Sequence, residues 1–405
     1  MSAAMTPKAL PTELIANIMD HVETDQDCQP TLSLLCLVDR RFLALARPRL
    51  YIAASLAIFD EGGEAMDASS ISLIRTLKSS PTLASLVRRI DIFAGRNQIL
   101  LPPSLLAILA STIALTTLFT LSSNVDDLRL SLPVEPFDLV ALTIINLRPT
   151  LRILELSASE QGEPFGSLEV ANLLRGLPLL QELSADGVVI LAPDALIPPT
   201  FHLTDLVLQS PQLPGSVPAG RETFKFLTAA SASSLVNLKI TGAHLLSPSD
   251  RADEELEPFK SLTNFAVSTG LVWQQGEESR PAGSLGWDVL TDGETGQAKY
   301  LQRQLAVAPE SVRRVIISEC DYMIRDGIIR KTRVLEAIPT WAHVVEIGLG
   351  KLRAKTLREF LEKAPALEWK VLWPGPGVNR KVDLDVIAKE CEKRGIRIAA
   401  QPSDI

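Results

Sequence analysis

The chain has 405 residues, of which 46% are hydrophobic and 22% charged, and its formal net charge at pH 7 is −8. This hydrophobic content excludes a chain that is disordered throughout, and the length allows two or three ordinary domains or one extended repeat array. The acidic balance disfavours a general nucleic-acid-binding protein.

Short amphipathic helices are predicted within the first fifty residues. Pro11 and Thr12 are typical of a helix start. The residues after them are apolar at helical spacing, namely Leu14, Ile15, Ile18, Met19 and Val22. A second stripe of the same kind consists of Leu34, Leu35, Val38, Phe42 and Leu45. Pro48 limits this second helix, so two or three short helices are expected in all.

These features together resemble an F-box: a Leu-Pro opening, an apolar first helix and a Val-Asp-Arg-Arg-Phe run at residues 38–42. F-box units bind the Skp-type adaptor of cullin-based (SCF) ubiquitin ligases, so the resemblance implies adaptor binding through residues 8–52. By their positions in the motif, the implied adaptor contacts are Leu10, Pro11, Leu14, Ile15, Ile18, Val38 and Phe42. The family often has a cysteine and a lysine before the aromatic, where this chain has Asp39-Arg40-Arg41. The alternative is a helical cap on the following domain without an outside partner.

A repeat array is predicted after a linker at residues 53–69, and it occupies residues 70–405. The recurring unit is an amphipathic segment, a break and an apolar triplet spaced as L-x-x-L-x-L. The clearest triplet is Leu151, Leu154 and Leu156, after a helix predicted at residues 137–147. Other clear copies begin at Val87, Leu203, Leu235, Leu262, Val312 and Val344. Weaker copies are predicted at residues 115–121, 180–183 and 367–372, and Ile396 and Ile398 close the array.

This pattern resembles a degenerate leucine-rich repeat, and its combination with an F-box is typical of a large group of fungal and plant proteins. In such repeats the last two apolar residues of each triplet lie on a short strand and point into a shared core. The resemblance implies an α/β solenoid, or horseshoe, with stacked parallel strands and right-handed crossings. A doubly wound α/β domain is the alternative. The glycine motifs that mark nucleotide-binding members of that class are absent from the sequence.

Two features in the second half of the chain are candidates for target binding. Residues 268–297 interrupt the repeat spacing as an insertion, and their Trp273 and Trp287 either contact a partner or pack onto the array. Residues 297–405 carry 20 Lys and Arg against 14 Asp and Glu, whereas residues 1–296 carry 20 against 34. Within this basic part, Arg330, Lys331 and Arg333 either receive an acidic or phosphorylated segment or form a solvated surface.

Other classes of protein are disfavoured. The four cysteines form no CxxC pair and the four histidines are isolated in sequence, so we expect a reducing compartment, cytoplasmic or nuclear, and no metal site. Secretion is not expected, because charges interrupt the N-terminal apolar residues. Residues 100–121 are uncharged and imitate a membrane span, but a buried helix followed by a strand explains them better.

The sequence contains no local arrangement of nucleophile and base, paired carboxylates or metal ligands. We therefore expect neither enzymatic activity nor a cofactor. The resemblance implies a substrate receptor of an SCF ubiquitin ligase, which binds the Skp adaptor through the F-box and a target protein through the repeats. One alternative is an interaction scaffold whose N-terminal helices only cap the array. A hidden hydrolase or transferase is a third reading, and it would need a deep polar pocket.

Overall fold

The structure is a computed structural model. It describes residues 10–23, 28–58, 66–94, 105–132, 144, 150–158, 167–186, 188, 196–209, 220–241, 256, 258–268, 311–317, 346–349, 358, 361–362, 369–374 and 381–399. The chain divides into two compact units, Met1–Leu151 and Arg152–Ile405.

The first unit begins with three short helices, α1 (Thr12–Glu23), α2 (Cys28–Leu35) and α3 (Arg40–Leu50). They enclose a small core of their own, formed by Ile15, Met19, Leu32, Phe42 and Ala46. Pro48 lies inside the last turn of α3 and does not end the helix. Proline has no backbone N–H to donate and its ring crowds the preceding turn, and the helix ends two residues later, at Leu50.

Three strands that pair in parallel follow among the described residues of the same unit. The elements of this part are β1 (Ala53–Ile58), α4 (Ala68–Ser79), α5 (Pro81–Ala84), β2 (Arg89–Ala94), α6 (Leu105–Leu121) and β3 (Asp127–Leu132). In register, Ala54 lies beside Ile90, which lies beside Leu128. The linker predicted at residues 53–69 is corrected here, because β1 and the start of α4 lie within it. The side chains of Ala54 and Leu56 are buried in the manner of a repeat triplet.

The strand predicted at residues 115–121 is also wrong, because these residues continue helix α6. The strand is β3, and its triplet is Val125, Leu128 and Leu130, all of them buried. Helix α6 carries no charged residue and has no preferred apolar side, so its sequence does not distinguish a helical period from a strand period. In β3 the charges of Asp127 and Arg129 alternate with leucines, which is the signal of a strand. Within the described ranges, no helix is both long enough and apolar enough to cross a membrane.

In the part of the second unit that the structure describes, there are nine parallel strands with helices between some of them. Its elements are β4 (Ile153–Ala158), α7 (Ser167–Arg175), β5 (Glu182–Asp186), β6 (Asp205–Gln209), α8 (Gly220–Thr228), β7 (Asn237–Thr241), β8 (Asn264–Ser268), β9 (Arg314–Ile317), β10 (Glu346–Leu349), β11 (Val371–Pro374), α9 (Lys381–Lys393) and β12 (Arg397–Ile398). Each strand pairs with the next one in chain order. A doubly wound sheet reverses its strand order at a switch point. The described strands of this unit show no such reversal, so its α/β fold is compatible with a solenoid.

A repeated backbone contact joins successive strands of this unit. The residue before β5, Gln181, and the first residue of β5, Glu182, both donate to the carbonyl of Arg152, at 2.8 and 3.0 Å. Thr204 and Asp205 in turn donate to the carbonyl of Gln181, at 2.8 and 3.2 Å. The same pair of bonds leads into β7, β8 and β9. In each of these repeats, the backbone carbonyl of the residue before the strand accepts the two hydrogen bonds that align the next strand.

The predicted triplets form the core of the second unit wherever the structure describes their side chains. Leu203, Leu206 and Leu208 are buried, as are Leu154 and Leu156 and the triplet that begins at Leu235. Burying each such leucine stabilises the fold by about 1.5–3 kcal/mol before entropic costs. The residues between them on the strands face outward. Val344 and most of the helix predicted at residues 137–147 lie outside the described residues.

Candidate functional site

The first candidate site is the outer surface of the three N-terminal helices, and two polar contacts position it. At one end, Arg41 Nη1 donates to the carbonyl oxygen of Leu10 at 2.7 Å. At the other end, the guanidinium of Arg49 pairs with the carboxylate of Asp20. The first contact joins the starts of α1 and α3, and the second joins their C-terminal halves. Helices α1 and α3 therefore lie side by side and run in the same direction.

Asp39 organises the turn between α2 and α3. Its backbone is extended, with φ −158° and ψ 175°, which suits a helix N-cap. Its Oδ1 accepts hydrogen bonds from the backbone N–H groups of Arg41 at 2.7 Å and Phe42 at 3.0 Å. Chiefly through the Phe42 hydrogen bond, and also through Arg41, the pKa of Asp39 lies below its ordinary value. This cap starts α3 directly after Val38.

The structure separates the seven predicted adaptor contacts into two groups. Ile15 and Phe42 belong to the core of the helical unit, where only 0% and 8% of their surfaces are exposed. The other five are exposed to solvent: Leu10, Pro11, Leu14, Ile18 and Val38. In this conformation only the exposed group is available to an adaptor. Adaptor binding itself stays a prediction.

Two further exposed leucines lie close in sequence to Val38. Leu34 lies near the end of α2, and Leu37 lies in the turn before α3, where 82% of its surface is exposed. Leu34 was part of a predicted apolar stripe, but neither residue was predicted as a contact. The sequence signal that could have identified them is the run of leucines at positions 34, 35 and 37, which extends past the end of a short helix. We call Leu10, Leu14, Ile18, Leu34, Leu37 and Val38 together the apolar surface. Groups of exposed large apolar side chains commonly mark interaction sites.

The second candidate site is the outward face of the strands in the second unit. A row of neighbouring residues in register crosses this face and consists of Glu182, Asp205, Asn237, Asn264, Arg314 and Glu346. The side-chain amide of Asn237 donates to the carboxylate of Asp205, and that of Asn264 donates to the carbonyl oxygen of the Asn237 side chain. Farther along the row, Arg314 Nε donates to Glu346 Oε2 at 2.7 Å. The face is thus an ordered polar surface.

Strands β4 to β6 make one part of this face acidic. Their outward positions include the carboxylates of Glu155, Glu182, Asp186 and Asp205 and contain no lysine or arginine. Burial, and then the neighbouring charge of Asp205, raise the pKa of Glu182 above its ordinary value. Sequence reasoning missed these residues. The sequence feature that could have identified them is their place at the variable positions, marked x, of successive L-x-x-L-x-L triplets.

The predicted target-binding residues cannot be placed in either site. Trp273, Trp287, Arg330, Lys331 and Arg333 all lie outside the described residues, so they stay predictions. Among the residues that the structure does describe, no three His, Cys, Asp or Glu side chains are grouped so that they could hold a metal ion.

Comparisons with known proteins do not identify the chain. No family model matches it, and no curated protein matches it. A solved structure of the Rad7 and Elc1 complex in yeast aligns with 97% of this chain and 92% of that chain, at 10% sequence identity and a TM-score of 0.38. A similarity of this size carries no argument about function.

Proposed function

We propose that this chain is the substrate-recognition subunit of an SCF-type ubiquitin ligase. In this proposal the three N-terminal helices bind a Skp-type adaptor, and the repeat domain binds the target protein. The observation that carries the proposal is the apolar surface on a helical unit that already has a core of its own. The F-box resemblance then suggests which partner covers that surface.

Helix α1 has two apolar stripes, one of which forms part of the core of the helical unit while the other is available to a partner. Ile15 and Met19 lie four residues apart and are buried against α2 and α3. Leu14 and Ile18 have the same spacing, but they remain exposed after the helices have packed. Because the internal core does not use this second stripe, a partner can bury it without unfolding the unit. Each aliphatic side chain that becomes fully buried contributes about 1.5–3 kcal/mol to association before entropic costs.

The proposed mechanism is proximity. A receptor that holds a target near an activated ubiquitin thioester on another subunit raises the effective concentration of the target's lysines there. Such a role requires no catalytic group of its own. The outward face of the parallel strands is the surface that we assign to the target, and its ordered polar row supplies hydrogen-bonding groups in fixed positions.

Binding of the full-length chain to a purified Skp-type adaptor tests the proposal. We expect the wild type to bind and the Leu14→Asp/Val38→Asp double variant to lose binding, because two charges would have to be buried in the interface. The Leu168→Asp/Ile197→Asp double variant is the matched control, since it changes two aliphatic residues in the second unit that are at least as exposed as Leu14 and Val38, respectively. Circular dichroism should show the same fold for all three proteins. Failure of the folded wild type to bind would overturn the proposal.

A non-ligase scaffold is the second candidate, and one observation favours it. Helix α3 leads through Tyr51 and Ile52 directly into β1, and the carbonyl of Ile52 accepts hydrogen bonds from Arg88 and Arg89 at 2.8 and 3.0 Å. The helical unit is therefore continuous with the sheet, as a solenoid cap would be. If the helices only cap the sheet, no adaptor binds, and deletion of residues 1–52 should lower the stability of the first unit.

A further inference from the structure

The Arg41 side chain links two parts of the apolar surface that are far apart in sequence. Its Nη1 donates to the carbonyl oxygen of Leu10 at 2.7 Å, across 31 residues. Its Nη2 lies 3.4 Å from Asp39 Oδ2, while Asp39 Oδ1 caps α3. One guanidinium thus holds both the segment before α1, which carries Leu10, and the turn before α3, which carries Val38.

The contact has more influence on position than on stability. Arg41 and Asp39 keep 42% and 41% of their side-chain surfaces exposed, and exposed ion pairs add little to stability. Leu10 precedes the first helical turn, whose first backbone bond runs from Ile15 N–H to the carbonyl of Pro11. The chain before a helix frays unless a side chain or a neighbouring element holds it. The bond from Arg41 holds it beside α3.

We propose that Arg41 is a positioning residue of the apolar surface: it keeps Leu10 and Leu14 assembled with Val38 before any partner arrives. This inference rests on the proposed function, because it deepens the account of the same surface. Arg41 belongs to the Asp39-Arg40-Arg41 run, where this chain differs from the sequence that is common in F-box units. Lysine at position 41 would supply a point charge in place of a planar fork, so it could not hold the Leu10 carbonyl and the Asp39 carboxylate in the same geometry.

A positioning role has a specific kinetic consequence. If only a fraction of the molecules hold the surface assembled, the apparent affinity falls by that fraction. A variant assembled one tenth of the time binds about tenfold more weakly. With rapid exchange between the two arrangements, the loss appears in the association rate constant, and the dissociation rate constant is unchanged. Replacing a residue that touches the partner directly changes mainly the dissociation rate constant.

The test compares full-length wild type with Arg41→Ala, Arg41→Lys and Arg40→Ala. Arg40→Ala is the matched control, because it removes the same charge from the adjacent position of the same helix and leaves the Leu10 contact intact. We expect Arg41→Ala to lower the rate of association with a Skp-type adaptor about tenfold at unchanged dissociation. Arg41→Lys should have an intermediate rate, and Arg40→Ala should remain near wild type. Equal losses for Arg40→Ala and Arg41→Ala would show loss of electrostatic steering and overturn the proposal, as would a change confined to dissociation.

Amide hydrogen exchange gives a readout that needs no adaptor. We expect faster exchange at the Ile15 amide in Arg41→Ala than in wild type or Arg40→Ala, with no change in the thermal midpoint. If folded wild type binds no adaptor, the proposed function fails, and the exchange comparison still decides whether Arg41 holds the Leu10 segment. Unchanged exchange in Arg41→Ala would overturn the positioning role even if the adaptor binds.

Discussion

Glu182 and Asp205 are neighbours in register on adjacent parallel strands, β5 and β6, although 22 residues of chain lie between them. Both project from the outward face of the sheet, so two carboxylates face solvent side by side. Like charges directly opposite each other on neighbouring strands are destabilising. Partial burial and the charge of Asp205 accordingly raise the pKa of Glu182.

Replacing Glu182 with Gln should stabilise the protein at pH 7 by about 0.2–1 kcal/mol, because the repulsion from Asp205 disappears while the shape is kept. Urea denaturation measures the difference. Glu392→Gln serves as a control, since Glu392 is also exposed but lies on helix α9. A Glu182→Gln variant less stable than wild type at pH 7 would contradict the account of this pair.

The same pair predicts a pH dependence. Because the pKa of Glu182 is higher in the folded state, the folded protein binds the proton more tightly than the unfolded chain does. Its contribution to stability should therefore decline as the pH rises from about 4.5, the ordinary pKa, through the raised value. Glu182→Gln should remove this decline. Thermal midpoints of both proteins measured between about pH 4 and 7 provide the comparison, and parallel curves would argue against the shift.

Asp39 predicts a pH dependence of the opposite sign. Its pKa is lowered, so the stability that it supplies is present above its ordinary value of 3.8 and is lost as the pH falls through the folded-state value. Asp39→Ala should be less stable than wild type at neutral pH, because α3 loses its cap. Asp39→Asn should lose less, since its amide oxygen can still accept the backbone N–H groups. The side-chain amide of the Asp39→Asn variant does not titrate, so an acid unfolding curve identical to that of wild type would exclude the proposed role of the Asp39 charge.

The core of the helical unit should be sensitive to truncation at positions that the apolar surface does not use. Ile15→Ala should cost about 2–5 kcal/mol and Phe42→Ala about 3–5 kcal/mol, because both side chains are buried. Leu14→Ala, one position away on the same helix, should change stability by less than about 0.5 kcal/mol. Denaturant titration of the three variants tests this ranking. A similar loss for Leu14→Ala and Ile15→Ala would contradict the assigned orientation of α1.

Ser231 should be important for the alignment of two repeats. Its hydroxyl oxygen is buried and accepts a hydrogen bond from the backbone N–H of Leu203 at 2.9 Å. Ser231→Ala would leave that buried donor unsatisfied, which typically costs about 1–3 kcal/mol. Ser233→Ala is the control, because Ser233 is exposed. Equal stability of the two variants in urea would show that the Leu203 amide finds another partner.

Much of the strand pattern could be predicted from the residues alone. The triplet of Leu203, Leu206 and Leu208 combines burial of alternate residues with a fixed offset, and neighbouring repeats copy it, so local spacing identified the strand. The same reasoning failed at residues 115–121, where leucines and threonines alternate irregularly in an uncharged helix and conceal its period. It also failed at β1, where alanines surround a single leucine, Leu56, so that the strand does not stand out from a linker.

The sequence by itself determined that α1 has apolar residues at helical spacing and that successive L-x-x-L-x-L triplets form short strands, because both patterns are local. Only the tertiary structure decided which stripe of α1 faces inward. Leu14 with Ile18 and Ile15 with Met19 are equivalent stripes in the sequence, and the packing of α2 and α3 against one of them leaves the other exposed. The pairing of Glu182 with Asp205 and of Arg41 with Leu10 likewise required the folded chain, because contacts between distant residues depend on how the elements pack and not on the spacing within any one of them.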